Sequence, residues 1–239
     1  MQSFGKHNGQ QKGFTRIELF VVISAIVLLF MIVSPMLAKR YAKAGRVKCS
    51  SNLKQITLSF KMYAGDNDGK FPWIPKSSGT DFTNQLQVWQ YFQIISNDLG
   101  STKILLCPQE QEAERKQPAC EFSNSIYGLA HPSNQNHSVS YFLGIYSSES
   151  LTNTILAGDR TVTTRINPQL YSSNGTNAVE VATNSIWSSA PMQANHEGVG
   201  IFALANGSVQ QTSTASFQAA LRIARDSYGT NANRFLFPQ

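Results

Sequence analysis

Of the side chains that could do chemistry, the cysteines come first. Cys49, Cys107 and Cys120 make an odd count, which excludes a fully paired monomer, and no two of them stand at metal-site spacing. Cys107 and Cys120 bracket a Pro- and Gln-rich loop running from Pro108 to Ala119. In an oxidising compartment they can close a small disulfide loop; the alternative is two unpaired thiols. Cys49 falls on an apolar helical stripe and reads as buried core rather than as a reactive thiol. His196 has no Cys, His or carboxylate neighbour at ligand spacing, so it reads as a structural histidine approaching a hairpin. Asp159-Arg160 ends an apolar run and reads as a structural salt bridge rather than a catalytic acid. Asp66-Asn67-Asp68-Gly69 invites a calcium reading. With Gly69 as sixth residue, however, an EF-hand needs an acid where Ala64 stands and a Glu where Pro75 stands. A helix-ending turn is the expectation, with calcium in a non-EF loop as the alternative. There is no Ser-His-Asp spacing, paired-carboxylate motif or metal cluster in the sequence. An enzyme is therefore not expected, and no catalytic residue, metal ligand or cofactor is assigned.

The chain carries a formal charge of +6, yet only 14% of its 239 residues are charged, against roughly 25% in an average globular protein. Ser, Thr, Asn and Gln fill the gap, which suits an exported, β-rich surface. The position of the basic residues decides what they mean. Lys39, Arg40, Lys43, Arg46 and Lys48 follow the main apolar run, and Lys6, Lys12 and Arg16 precede it. Basic flanks of this kind meet anionic headgroups. No RNA-binding aromatic motif or zinc-finger spacing accompanies them, so nucleic acid is not an expected partner.

The run itself, Leu19 to Ala38, is twenty residues without a charge. A helix of that length crosses about 30 Å of hydrocarbon at about 1.5 Å per residue. A secretory signal peptide would be shorter and end in a small-x-small cleavage site. Here the end is Pro35-Met36-Leu37-Ala38, then Lys39-Arg40, which reads as a stop. Two residues stand out. Glu18 opens the run, where a carboxylate is costly in lipid and calls for a partner. Pro35 lies inside the helical pattern and predicts a kink.

Gly13-Phe14-Thr15-Arg16-Ile17-Glu18, behind a short basic leader and before a long apolar run, resembles a type IV prepilin cleavage site. The resemblance implies that a prepilin peptidase cuts after Gly13 and methylates the new N-terminus at Phe14. Glu18 is then fifth from the cut, and Pro35 twenty-second, where pilin-like helices also carry proline. Arg16 departs from the family, which has leucine or another apolar residue there. The resemblance also implies a role for Glu18: neutralising the Phe14 amine of an adjacent subunit within the membrane, which favours assembly. An interfacial Glu that snorkels to water is the alternative. The positive-inside rule, with five basic residues after the run and three before it, would leave the large domain in the cytoplasm. The resemblance implies the opposite, because leaders are cut on the cytoplasmic side.

Beyond the membrane, Cys49, Leu53, Ile56, Phe60 and Tyr63 repeat at spacings of 4, 3, 4 and 3, one apolar helical stripe that stops at Gly65. This predicts a continuous helix of about fifty residues whose second half packs on the exported domain. Val139 to Leu143 and Thr154 to Ala157 read as strands, while Val88 to Phe92 and Ile104 to Leu106 read as apolar anchors. Gly200 to Ala205, then Asn206-Gly207, then Ser208 to Gln210 predict a hairpin with a two-residue type I′ turn at Asn206 and Gly207. A late helix is expected over Ser216 to Tyr228, with Phe217, Ala220, Leu221, Ala224 and Tyr228 on one face and Gly229 as its stop. Asn52-Leu53-Lys54-Gln55, His196-x9-Asn206-Gly207 and Asn233 to Pro238 are similar to a subgroup of pilin-like proteins from planctomycete and verrucomicrobial bacteria. That subgroup more often has Asp-Gly at the turn.

The expected fold is α+β, a long N-terminal helix packed on an antiparallel sheet with loop insertions. The expected organisation is a leader at 1–13, a transmembrane helix at 14–38, its extracytoplasmic continuation at 39–65 and a β-rich domain at 66–239. The expected function is structural: a subunit of a type II secretion pseudopilus or a type IV pilus-like fibre, single-pass in the inner membrane with the domain outside. Implied partners are the prepilin peptidase, sister pilin-like subunits, the assembly machinery and the membrane. The competing expectation is an anchored binding module that never polymerises, for which Trp73, Trp89 or Trp187 would be exposed contact residues.

Overall fold

The computed structural model describes residues 13, 15–74, 86–110, 118–164, 171, 178–188, 196 and 198–238. The chain divides into two compact units, Met1–Lys43 and Ala44–Gln239. Phe14, the expected methylation site, lies outside the described residues, as does the leader before Gly13.

Helix α1, Arg16–Asp66, begins in the first unit. Within that unit Arg16–Ser34, nineteen residues of mean hydropathy 2.8, is long and apolar enough to cross a membrane, and none of that stretch is buried. The helical backbone runs through Pro35.

The second unit takes in the C-terminal part of α1 from Ala44 onward. Here Cys49, Leu53, Ile56 and Phe60 are fully buried and Tyr63 half-buried, so the predicted stripe is a core-facing seam. The helix ends at Asp66 in a left-handed turn: Asp68 has φ 57°, Gly69 has φ 72°, and the Gly69 amide donates to the Ala64 carbonyl at 2.8 Å. The segment read as a possible calcium loop is this helix cap. Two short helices follow, α2 (Val88–Ile94) and α3 (Ser96–Leu99).

The sheet is built from β1 (Tyr141–Gly144), β2 (Ile155–Asp159), β4 (Val179–Glu180), β6 (Val199–Leu204), β7 (Val209–Ser213) and β8 (Arg234–Leu236). Its order is β4-β8-β1-β2-β6-β7, with every neighbouring pair antiparallel. A separate two-stranded ribbon pairs β3 (Val162–Thr163) with β5 (Ile186–Trp187). Helix α4, Thr214–Tyr228, stops at Gly229, whose φ is 83°.

Alternation along the strands makes three layers. Tyr141, Leu143, Ile201 and Leu236 point to the core that holds the α1 stripe. Phe142, Phe202, Phe235 and Phe237 point the other way, to a core closed by Phe217 and Leu221 of α4. The two faces therefore bury different helices. Gly200 sits on the face of the Trp187 indole, where any Cβ would enter the ring, and Trp187 in turn packs on Phe217 with centroids 4.2 Å apart.

The β6–β7 hairpin corrects the expected turn. Its loop has three residues, Ala205-Asn206-Gly207, closed by the Gly207 amide donating to the Leu204 carbonyl at 2.9 Å and the Leu204 amide donating to the Ser208 carbonyl at 2.9 Å. Only Gly207 has positive φ, 92°. A type I′ turn needs two such residues. Asn206 instead uses its side chain, accepting from the Ser208 amide at 2.8 Å, which a two-residue reading overlooks.

Candidate functional site

Two places gather the polar residues singled out by sequence. At the start of α1, the Thr15 amide and hydroxyl both donate to Glu18 Oε2, at 2.8 and 2.9 Å, and the Glu18 amide donates to Thr15 Oγ1 at 3.3 Å. This is a capping box, Thr15 as N-cap and Glu18 three residues on. The Thr-x-x-Glu spacing was visible in the sequence, inside the string read as a cleavage site. Glu18 is thus held locally as well as being open to a neighbour, since it is exposed. Gly13 is also exposed.

The second place is a buried polar cluster in the second unit. Its covalent link overturns the expected disulfide: Cys49 is bonded to Cys107, with Cα atoms 5.4 Å apart, and Cys120 is a free, exposed thiol. Cys49 can reach Cys107 because the α1 stripe faces the loop that carries Pro108 and Gln109. Asn52 holds the same loop, its amide donating to the Leu106 carbonyl at 3.3 Å.

Asp159 and Arg160 do not pair with each other in the way expected. Arg160 forks onto Glu110, Nη2 to Oε1 at 2.9 Å and Nε to Oε2 at 3.3 Å, and the Ser140 hydroxyl donates to the same carboxylate at 2.8 Å. Asp159 points to His196 instead, with Oδ2 3.6 Å from Nε2, and accepts from the Ile201 amide at 2.9 Å. Adjacent residues at a strand end project to opposite faces, so a sequence-adjacent acid and base are poorly placed to meet. His196 is no isolated structural histidine either. Its Nδ1 lies 2.6 Å from Gln109 Oε1, and its Nε2 lies 3.6 Å from Cys107 Sγ. Because an amide oxygen can only accept, Nδ1 carries the proton and the Nε2 lone pair faces Cys107 and Asp159.

Burial dominates the electrostatics. It pushes the Asp159 carboxyl up to about 8, against the pull of the Ile201 amide, with Glu110 adding to the rise and Arg160 opposing it. Burial, helped by Arg46, pushes His196 down to about 4. At neutral pH the pair is a neutral acid beside a neutral imidazole. The Tyr141 hydroxyl is raised well above its usual range, first by burial and then by Asp159. Among the described residues Asp159 Oδ1 has no hydrogen-bond partner.

This arrangement has a pH signature in the disulfide-bonded protein. Asp159 is raised from 3.8, so its contribution is complete below about pH 4 and is lost as pH rises through 8. His196 is lowered from 6.5, so its contribution is complete above that pH and is lost as pH falls through 4. Between about 4 and 6.5 the unfolded chain carries one proton on the histidine and the folded chain one on the acid, and the slopes cancel. Between 6.5 and 8 only the Asp159 slope remains. As far as these two groups set it, the urea stability of wild type should therefore be flat between about pH 4 and 6.5. Wild type should then lose about 2 kcal/mol by pH 8, at about 1.4 kcal/mol per unit, whereas Asp159→Asn, which keeps only the histidine titration, should gain stability up to about pH 6.5 and show no fall above it.

Beside the cluster lies a cavity of about 380 Å³ lined by Lys48, Asn52, Cys107, Pro108, Glu110 and Pro118. Two of the stretches read as one sequence signature meet in space, Lys54 Nζ donating to the Gly207 carbonyl at 2.6 Å, while in the third Asn233 Nδ2 donates to the Leu221 carbonyl of α4 at 3.0 Å. Trp73 and Trp187 are buried and Trp89 is half-buried, which removes two of the three aromatic contacts that a binding module would use. Comparison with family models, with curated proteins and with solved structures returned no match.

Proposed function

We propose that this chain is a pilin-like structural subunit, anchored by the N-terminal part of α1 and assembled into a type II secretion pseudopilus or a type IV pilus-like fibre. The observation that carries the reading is the division of labour along α1: an apolar, wholly exposed stretch at Arg16–Ser34, then a stripe from Cys49 buried against an antiparallel sheet. A helix with an unpartnered apolar half and a packed half is what a membrane-anchored subunit requires. The Cys49–Cys107 disulfide supports an exported domain, because such bonds persist in oxidising compartments and are rare in the cytosol. Export opposes the charge bias of the flanks and agrees with the prepilin-like string at Gly13 to Glu18. The anchored binding module loses support with Trp73 and Trp187 in the core.

The test is processing. Co-expression with a prepilin peptidase should remove residues 1–13 and leave N-methylated Phe14, read by intact-mass and N-terminal peptide mass spectrometry. Gly13→Ala should slow the cut severalfold while leaving membrane insertion unchanged. An intact leader, or a cut beyond Ala38, would defeat the assignment.

A further inference from the structure

We infer that Cys49, Cys107 and His196 form a redox-gated site for a zinc ion, closed as a disulfide in the oxidised protein and opened as a metal site in the reduced one. The inference goes beyond the structural role proposed above and does not depend on it. The three ligand atoms lie within 4.8 Å of one another and all three residues are buried. Cys107 Sγ is 3.6 Å from His196 Nε2. Two ligands bound to one tetrahedral zinc at about 2.0 and 2.3 Å stand about 3.5 Å apart, so this edge of the coordination polyhedron is already set.

The surroundings have the features of a metal site. Gln109 Oε1 accepts from His196 Nδ1 at 2.6 Å and leaves Nε2 free to bind, the usual outer support of a ligating imidazole. Asp159 Oδ2 lies 3.6 Å from the same Nε2, and its Oδ1 is buried without a partner among the described residues. Two thiolates and a neutral imidazole around Zn²⁺ sum to zero charge, the cheapest way to bury the ion. The cavity lined by Cys107, Asn52 and Glu110 supplies access from solvent.

The chemistry balances in two steps. A dithiol reductant gives two electrons and two protons to the Cys49–Cys107 bond, becoming a disulfide itself, and leaves two thiols. Zn²⁺ then displaces both thiol protons, which go to solvent, as the two Zn–S bonds form and His196 donates its Nε2 lone pair. Oxidation by a disulfide reverses the sequence and expels the ion.

The experiment uses the full chain in detergent, split into an untreated half and a half reduced with a phosphine that is then removed without air. Both are titrated with Zn²⁺ against a chromogenic chelator, and in parallel with Co²⁺. The reduced protein should retain one zinc per chain and show thiolate-to-cobalt charge-transfer and tetrahedral ligand-field bands. The oxidised protein should retain none, a comparison that needs no variant to fold. Cys49→Ser and His196→Asn should each weaken zinc retention by at least about 100-fold, with folding followed by circular dichroism. Equal zinc retention in the two redox forms overturns the proposal, as does zinc binding by His196→Asn as tight as wild type. Absence of cobalt–thiolate charge transfer in the reduced protein does the same.

Discussion

Glu18→Gln should abolish intersubunit cross-linking in membranes while leaving leader cleavage and membrane insertion intact. The substitution separates the observed capping role of Glu18 from the assembly role proposed for it. As the third helical residue after Thr15, Glu18 closes a capping box, and glutamine fills that position nearly as well. What glutamine cannot supply is a negative charge for the Phe14 amine of a neighbouring subunit. Leaving such an amine unpaired in lipid costs about 3–5 kcal/mol, a loss of at least about a hundredfold in association. Thr15→Ala is the converse control. It removes the cap at a cost of about 1 kcal/mol, keeps the charge, and should leave the cross-linked ladder in place. Equal ladders from wild type and Glu18→Gln would reduce the helix to a simple tether.

Removing the disulfide should be the most destabilising single change in the unit Ala44–Gln239. Cys49 and Cys107 close a loop with a sequence separation of 58. The chain-entropy relation for a loop of that length gives about 4 kcal/mol, a large share of the stability of an ordinary domain. Cys49→Ala and Cys107→Ala should each lower the urea midpoint steeply, and the double variant should match either single one. Cys120→Ser should be within about 0.5 kcal/mol of wild type, because its thiol is exposed and free. Alkylation of the native protein should label Cys120 alone until a reductant is added. Labelling of Cys107 before reduction would contradict the pairing.

The contrast between Cys49 and Cys120 shows where the sequence was informative. The stripe Cys49-Leu53-Ile56-Phe60 was legible because a helical period repeats within a few residues, and the same holds for Phe217, Leu221 and Ala224 on α4. The strands of the β6–β7 hairpin were legible from alternation, though the length of its loop was not, because Asn206 satisfies the turn through its side chain. Partnerships across the fold were invisible. Cys107 looked closer to Cys120 along the chain, and Arg160 closer to Asp159, yet each finds its partner through loop 105–110, which the sheet and α1 jointly place. The two-residue strands β3, β4 and β5 carry too few residues for a period to register. His196 lacked any local signal of its cluster, since its neighbours in space are 37 (Asp159), 87 (Gln109) and 89 (Cys107) positions away.

The position of Cys49 on α1 also has a mechanical meaning. Tension drawn along the helix from its N-terminal side reaches Cys49 before it reaches Leu53, Ile56 or Phe60, the residues whose burial anchors the helix to the sheet. Part of the load therefore leaves the helix through a covalent bond and enters loop 105–110. From there it passes into the sheet through backbone contacts such as the Ser140 amide on the Leu105 carbonyl. Side-chain packing alone would let the helix slide out one apolar residue at a time. With the covalent bond placed ahead of the seam, pulling strains the joint as a unit, so the oxidised domain resists extraction of α1 in a way that the reduced domain does not.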